Sequence, residues 1–434
     1  MIPIMSPDLR ETIPPRTFKI RHLRWYLSGV ICLAAVINLV DRQVLSILAP
    51  DLQRQIGWSE LGYARIVIAF QISYATMMMV SGWISDRIGT KLSYSLAMVW
   101  WAVAEISHAF VHTPLGFGVA RLFLGIGEAA YFPASMKTIA EWFPKRESAL
   151  ATGILNAAVT VGAIVSPIVI PLINTACGWQ GTFVVTGALV ALPLIGWLTL
   201  YRRPEDHPRL TTEERELIQE GRESTSPFKV SWIRLLGYRQ TWAIAAPKIL
   251  TDPVFYFCLY WLPKFLAEDH NIRGTAIIPY LSTVWVLTGI GSLIGGYVSS
   301  RLIMQGWTVN WSRKAAMALC AAVTPMVVVA SKARSPWVAV FLIGATLAGH
   351  QGFSTNVFTL ASDLFPSRAV ASVVGIAGFL GSMSAVLTSE LTGRVLERDP
   401  SLYLPMFIVA GSVYMAAVMA VHLFTPRMEP AALR

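Results

Sequence analysis

Apolar stretches of about twenty residues recur along this whole chain, each long enough to cross roughly 30 Å of hydrocarbon as a helix. They fall near residues 25–48, 61–84, 91–111, 116–138, 148–172, 179–201, 240–267, 276–304, 314–331, 336–360, 370–393 and 403–425. A membrane β-barrel would show alternating segments of about ten residues instead. The composition agrees with helices: 54% of the 434 residues are hydrophobic and only 14% are charged. The expected fold is an all-α integral membrane protein with twelve transmembrane helices.

The formal net charge is +10. In a soluble protein that excess would raise nucleic-acid binding; in this chain it sets topology, and no nucleic-acid partner is expected. With both termini in the cytoplasm, about 23 Lys and Arg fall on cytoplasmic segments against about 7 in the opposite loops, the bias that orients multi-pass proteins. With the four basic residues at span ends (Lys91, Lys264, Arg301 and Lys314) counted to the loops, five more (Arg42, Arg65, Arg121, Lys137 and Lys248) lie within spans. The expected location is the cell membrane, with the lipid bilayer as solvent. The four cysteines, Cys32, Cys177, Cys258 and Cys320, are scattered and spell neither a metal site nor a disulfide framework. Residues 1–24 are basic, but the first span is too long and too charged for a cleaved signal peptide.

The longest polar stretch, 202–239, separates six spans from six spans. The expected organisation is a cytoplasmic tail (1–24), a six-helix bundle (25–201), a solvated linker with a short surface helix (202–239), a second six-helix bundle (240–425) and a short tail (426–434). The halves echo one another. The fourth span exits as EWFPKRESALATG (141–153) and the tenth as DLFPSRAVASVVG (363–375), at a constant offset of 222. The second exits as GWISDRIGTK (82–91) and the eighth as GYVSSRL (296–302). Two such pairs, in order and at equivalent exits, point to a repeat-built transporter with its site at mid-membrane between the halves.

Charges inside the spans mark where that site lies. The first span carries Asp41 and Arg42, each costing roughly 2.5–3.5 kcal/mol at that depth on insertion scales. Such residues face a polar cavity or are paired; a structural ion pair between two helices is the plain alternative. Arg121 and Glu128 are seven apart on the fourth span, two helical turns, and so share a face. Two acids and two bases suit symport, because a nearby Arg and burial act oppositely on a carboxyl group. An Arg moving onto a substrate carboxylate would release its acid to bind a proton, which couples the two ligands.

Lys248 and Asp252 are four apart on the seventh span, and form either an intrahelical ion pair or a cationic contact supplied by the second half. His350, Gln351, Ser354, Thr355 and Asn356 crowd the tenth span, and His350 falls opposite Glu128 at the 222 offset. His, Gln and Asn have several hydrogen-bonding groups to satisfy and suit sugar hydroxyls. Gln71 and Tyr74 on the second span and Asn156 on the fifth are similar candidates. Tyr256 and Trp261 can stack on a sugar face or serve as interface anchors. Glu105, His108 and Glu390 read as residues near the outer interface. The Gly-Ile-Gly at 125–127 lies inside an apolar helix and reads as close helix packing. No HExxH, GxSxG or Walker A motif occurs, so no catalytic residues, metal ligands, cofactor or ATP-driven step are expected.

Gly82-x-x-x-Asp86-Arg87-x-Gly89-x-Lys91 resembles the loop motif between the second and third spans of the major facilitator superfamily. The stretches VDRQVLSILAPDL (40–52), ARLFLGIGEAAYFPASMKTIAEWFPKRESALATGILNAAVTVGAIVSP (120–167) and GHQGFSTNVFTLASDLFPSRAVASVVG (349–375) are similar to its anion:cation symporters, most of all the hexuronate transporters. Tyr131 stands where that family usually has Asn. The resemblance implies the twelve-helix, two-half fold and proton-coupled uptake of a sugar acid such as glucuronate or galacturonate by a monomer. It implies proton coupling at Asp41 and Glu128. Substrate or gating contacts fall to Arg42 and Arg121, a substrate contact to Lys248, and a gate to Gly82, Asp86 and Arg87. Two other readings are transport of a different organic anion, an aldonate or aromatic carboxylate, and an intramembrane enzyme. The two-fold repeat and the lack of any nucleophile–base pattern oppose the enzyme.

Overall fold

The computed structural model describes residues 19–219 and 232–431, without the side chains at positions 83, 86, 145, 146, 149, 367, 368 and 371. Its main helices are α1 (Leu23–Ile56), α2 (Glu60–Ile88), α3 (Thr90–Ser107), α4 (Pro114–Glu128), α5 (Tyr131–Trp142), α6 (Lys145–Leu189), α7 (Ala191–Leu200), α8 (Thr212–Gln219), α9 (Trp232–Leu236), α10 (Arg239–Asp269), α11 (Ile278–Met304), α12 (Val309–Val323), α13 (Val327–Ala330), α14 (Pro336–Leu364), α15 (Ser367–Arg398) and α16 (Leu404–Phe424). Among the described residues there is no strand, only an isolated bridge between Ile20 and Leu210.

Eight helical stretches are long and apolar enough to cross a membrane. One of them, Leu150–Leu200, is two passes. It reverses at Gly178 (φ 71°, ψ 178°), a conformation that only glycine adopts without strain. Glu147 before the reversal and Leu198 after it therefore reach the same end, bonding Arg24 and Lys91 respectively. The long helices α3, α10 and α14 carry enough polar residues to fall outside those eight, and they complete twelve passes among the described residues. The fourth pass breaks at Ala129–Ala130 between α4 and α5, and the ninth at a 3-10 turn containing Pro325, whose missing N–H interrupts the helical ladder. The first pass outruns its expected end at 48. It continues through Pro50 to Ile56, where Gly57 (φ 78°) stops it, because polar Asp51, Gln53 and Arg54 extend the helix past the apolar stretch.

The second and fourth passes of each half meet on glycine. A Cβ on Gly125 of α4 would lie 2.7 Å from the Phe70 carbonyl of α2, and one on Gly127 would lie 2.7 Å from the Trp101 nitrogen of α3. In the second half a Cβ on Gly295 of α11 would lie 2.6 Å from the Gly352 carbonyl of α14. The obstacle there is backbone, which cannot step aside. Gly295→Val is expected to remove more than the 1–3 kcal/mol (about) typical of overpacking. The check is the melting temperature and monodisperse yield of purified protein, and wild-type values would refute this packing.

The start of α1 and the described start of the linker share one end. A Glu214 carboxylate accepts from the Leu23 and Arg24 amides at 3.0 and 3.2 Å, placing negative charge at the N-terminus of α1, where the helix dipole favours it. Arg24 also pairs with Glu214 at 2.7 Å and Glu147 at 2.9 Å. The repeat noted at offset 222 has a structural counterpart here. Glu141 accepts from Thr90 at the start of the third pass at 3.2 Å, and Asp363 accepts from Arg313 near the start of the ninth at 3.0 Å.

The opposite end is closed by contacts between the halves. Lys264 of α10, fully buried, donates to both Glu60 oxygens of α2 at 2.5 and 2.6 Å and to Gln53 of α1 at 2.6 Å. The Tyr63 hydroxyl donates to the Tyr260 carbonyl at 2.7 Å, and the Leu61 amide donates to Glu397 at 2.9 Å. Removing one partner strands a buried charge, whereas removing both does not. Glu60→Gln and Lys264→Met are each expected to lower thermal stability, and the double variant to regain about 0.5–3 kcal/mol against additivity. Additive losses would show that the two groups do not hold this end shut together.

Candidate functional site

Adjacent residues on a helix point about 100° apart, and this divides Asp41 from Arg42. They do not pair with one another. Arg42 turns toward α4 and α2. Its Nη2 donates to Glu128 Oε2 at 3.0 Å and to Asn38 Oδ1 at 3.1 Å. Its guanidinium lies 4.4 Å from the centre of the Tyr74 ring and 5.2 Å from that of Phe70, a cation–π geometry. Tyr256 and Tyr260 of α10 are within electrostatic range of the same group, so Arg42 faces the second half. The Glu128 side chain is wholly buried, while that of Arg42 is 11% exposed.

Asp41 turns the other way, toward α3. Its Oδ2 accepts the Trp101 indole N–H at 2.8 Å, and it is wholly buried. Arg121 is also buried, with its guanidinium 5.9 Å from the Phe70 ring centre and its Nε and Nη2 without a hydrogen-bond partner among the described residues. The four charges are thus divided: an Arg42–Glu128 pair faces the partner half, Asp41 is set back against Trp101 of α3, and Arg121 is buried beside Phe70.

On the second half, Lys248 Nζ lies 2.7 Å from Asp252 and 4.6 Å from the centre of the Phe358 ring. Both charged side chains keep a little exposure, 9% and 10%. Tyr256 is half-buried and stacks on Tyr260 at 6.2 Å. His350 shares a 2.8 Å hydrogen bond with the Tyr414 hydroxyl and stacks on Phe255 at 5.3 Å. Gln351 is half-buried. The Asn356 amide is held within the protein, donating to the Gly295 and Gly352 carbonyls at 3.0 and 2.9 Å, so it locks α11 to α14. Asn156 is exposed on α6. Gln71 joins the halves through Ser389 at 3.2 Å. Near the end of α2, Gly82 is half-buried and Arg87 exposed; the Asp86 side chain lies outside the described residues.

Glu105 and His108, expected near the outer interface, are both wholly buried within the protein. Hydropathy counts how apolar a span is but not which of its faces meets its neighbours, and here Gly187 of α6 lets α3 approach closely enough to enclose Glu105. The sequence reading also passed over Asn38, Phe70 and Trp101. The helical spacing of Trp101 and Glu105, one turn apart, was the available signal.

Chemically, the arrangement offers a guanidinium able to exchange a protein carboxylate for one on a ligand. Aromatic faces lie beside it and an ammonium sits across the interface. Everything described belongs to a multi-pass membrane protein built around charges buried between two sets of helices, with no metal-binding group of His, Cys, Asp and Glu among the described residues. The model of the Major Facilitator Superfamily matches residues 31–389, and the chain belongs to that superfamily. Its relatives are transporters, not enzymes. It is 31% identical to the hexuronate transporter of Escherichia coli strain K12 over 399 residues, 90% of this chain and 91% of that one. It is 32% identical to the galacturonate transporter of Dickeya chrysanthemi over 285 residues, 65% of this chain and 83% of that one. The fold also matches the crystal structure of a D-xylose–proton symporter with a TM-score of 0.73 at 16% identity, covering 94% of this chain and 99% of that one.

Proposed function

We propose that this protein is a proton-coupled symporter importing a sugar acid, with a hexuronate such as galacturonate or glucuronate as the cargo. The Arg42–Glu128 pair, 3.0 Å apart and flanked by Tyr74 and Phe70, is the observation that carries the reading. A substrate carboxylate that draws Arg42 away leaves Glu128 uncompensated in a dry site, and Glu128 then takes a proton. Lys248 supplies a second cation from the opposite side, and Tyr256, His350 and Gln351 line the same half. The names of the two sugar-acid relatives give the cargo class. In this reading the halves 25–201 and 240–425 rock about the central charges in the cell membrane, with both termini in the cytoplasm. Gly82, Asp86 and Arg87 hold the cytoplasmic side shut in the alternate state.

Proteoliposomes test this directly. Labelled galacturonate is expected to accumulate when the outside is made acidic and to stop accumulating when a protonophore collapses the gradient. Glucuronate is expected to compete and glucose is not. Accumulation indifferent to the proton gradient would remove the coupling, and preferential uptake of an aldonate would change the cargo.

A further inference from the structure

His207 is buried on the segment between α7 and α8, and the charge exchange above does not use it. Both of its ring nitrogens are spent. Nε2 lies 3.0 Å from the Leu200 carbonyl at the end of the sixth pass, and Nδ1 accepts from the Arg209 amide at 3.2 Å. A carbonyl can only accept and an amide N–H can only donate, so the proton sits on Nε2 and the ring is neutral. The ring meets Trp142, at the end of the fourth pass, edge to face with centres 5.4 Å apart. Its chain neighbours carry the tie to the first pass: the Ile20 amide donates to the Arg209 carbonyl at 2.9 Å, and Glu214 accepts from the Leu23 and Arg24 amides. The charged groups facing His207 are cations: Lys91 of α3, Arg202 just past α7, Arg209, and Arg215 of α8, which donates to the His207 carbonyl at 3.2 Å. The acids on the packed elements are engaged elsewhere, Glu141 of α5 with Thr90 and Tyr201 and Glu214 of α8 with Arg24.

We propose that His207 is a pH-sensitive clasp: neutral, it fastens the segment between α7 and α8 to the ends of the fourth and sixth passes; protonated, it lets that segment go. A proton from water can enter only on Nδ1, where it faces the Arg209 N–H, so a hydrogen bond becomes an opposition of two donors. The new charge also arrives among four cations. Burial and these cations hold the imidazole below its usual 6.5. A group depressed in this way contributes its full stability above 6.5 and loses it as the pH falls through the lower folded-state value, so acid opens the clasp. In the reading above this end faces the cytoplasm, and an importer that brings in protons with its cargo loosens its own linker as the cytoplasm acidifies. That consequence rests on the transport reading; the clasp itself does not.

Hydrogen–deuterium exchange of the purified full chain is followed between about pH 7.5 and about pH 5.5, with labelling times scaled for the slower intrinsic exchange in acid. In the wild type the amides of 207–215 are expected to exchange at least about fivefold faster at the acid end, while the middle of α1 stays protected. His207→Gln keeps an N–H and an oxygen for the same partners but does not titrate, and its segment is expected to ignore pH. Arg209→Glu puts an acid beside the ring and is expected to move the midpoint of opening upward by about half a unit or more. Where His207→Gln leaves the segment open at every pH, Arg209→Glu decides. No acid opening in the wild type, opening of His207→Gln at the wild-type midpoint, or an unmoved midpoint in Arg209→Glu each overturns the clasp. The exchange measurement needs no cargo. Uptake indifferent to the proton gradient would remove the cytoplasmic feedback and leave the clasp standing.

Discussion

Asp41→Asn is expected to abolish uphill accumulation of galacturonate while leaving counterflow in place. The side chain is wholly buried and accepts from the Trp101 indole at 2.8 Å. Asparagine is nearly the same shape and keeps an acceptor for that N–H. What it loses is the ability to bind and release a proton. A carrier that still binds and exchanges sugar acid, but has no proton to couple, can only equilibrate it. The accumulation ratio in proteoliposomes should therefore fall to about one from whatever the gradient supports in wild type. Accumulation retained in both Asp41→Asn and Glu128→Gln would show that neither acid couples. Loss of counterflow along with accumulation would assign Asp41 a structural part in holding α1 against α3.

Arg42→Gln is expected to weaken galacturonate binding by about tenfold to a hundredfold, the effect of losing one charge-assisted hydrogen bond of about 1.5–3 kcal/mol. Glu128, left buried without its cation, adds a stability loss that Glu128→Gln in the same protein should partly relieve. Lys248→Gln is expected to act in the same direction, with a smaller effect because Lys248 already has Asp252 at 2.7 Å. Isothermal titration or ligand-induced thermal shift gives the affinities directly. Arg42→Lys separates charge from shape: a guanidinium can grip a carboxylate with two parallel bonds and an ammonium cannot. Full affinity in Arg42→Gln would move the carboxylate clamp elsewhere, and glucose competing as well as glucuronate would remove the clamp altogether.

The passes and the repeat were legible in sequence for a simple reason. Hydrocarbon is a uniform solvent, so twenty apolar residues report their surroundings without reference to any other part of the chain. The exits at Glu141 and Asp363 also matched in sequence, and in the fold each acid binds near the start of the preceding pass in its own half. The cross-half seal was less legible. Lys264 and Glu60 are 204 residues apart, and an ordinary charge count treats such residues as loop decoration. Asn356, which reads as a sugar contact by its chemistry, spends its amide on two backbone carbonyls.

What the sequence determined by itself was the solvent, the number of passes, the two-fold plan and the short roster of charges too deep to be idle. Only the tertiary structure decided how those charges are partnered. Asp41 and Arg42 are neighbours along the chain, yet the turn of one helix sends Arg42 to Glu128 and Asp41 to Trp101. Hydropathy sums over a window and is blind to azimuth. An ion pair depends on which faces of three helices meet within about 3 Å, and that is settled by packing between segments distant in sequence. The glycines of α4 and α6 bring α1, α2 and α3 together, and they enclose Glu105 in the interior.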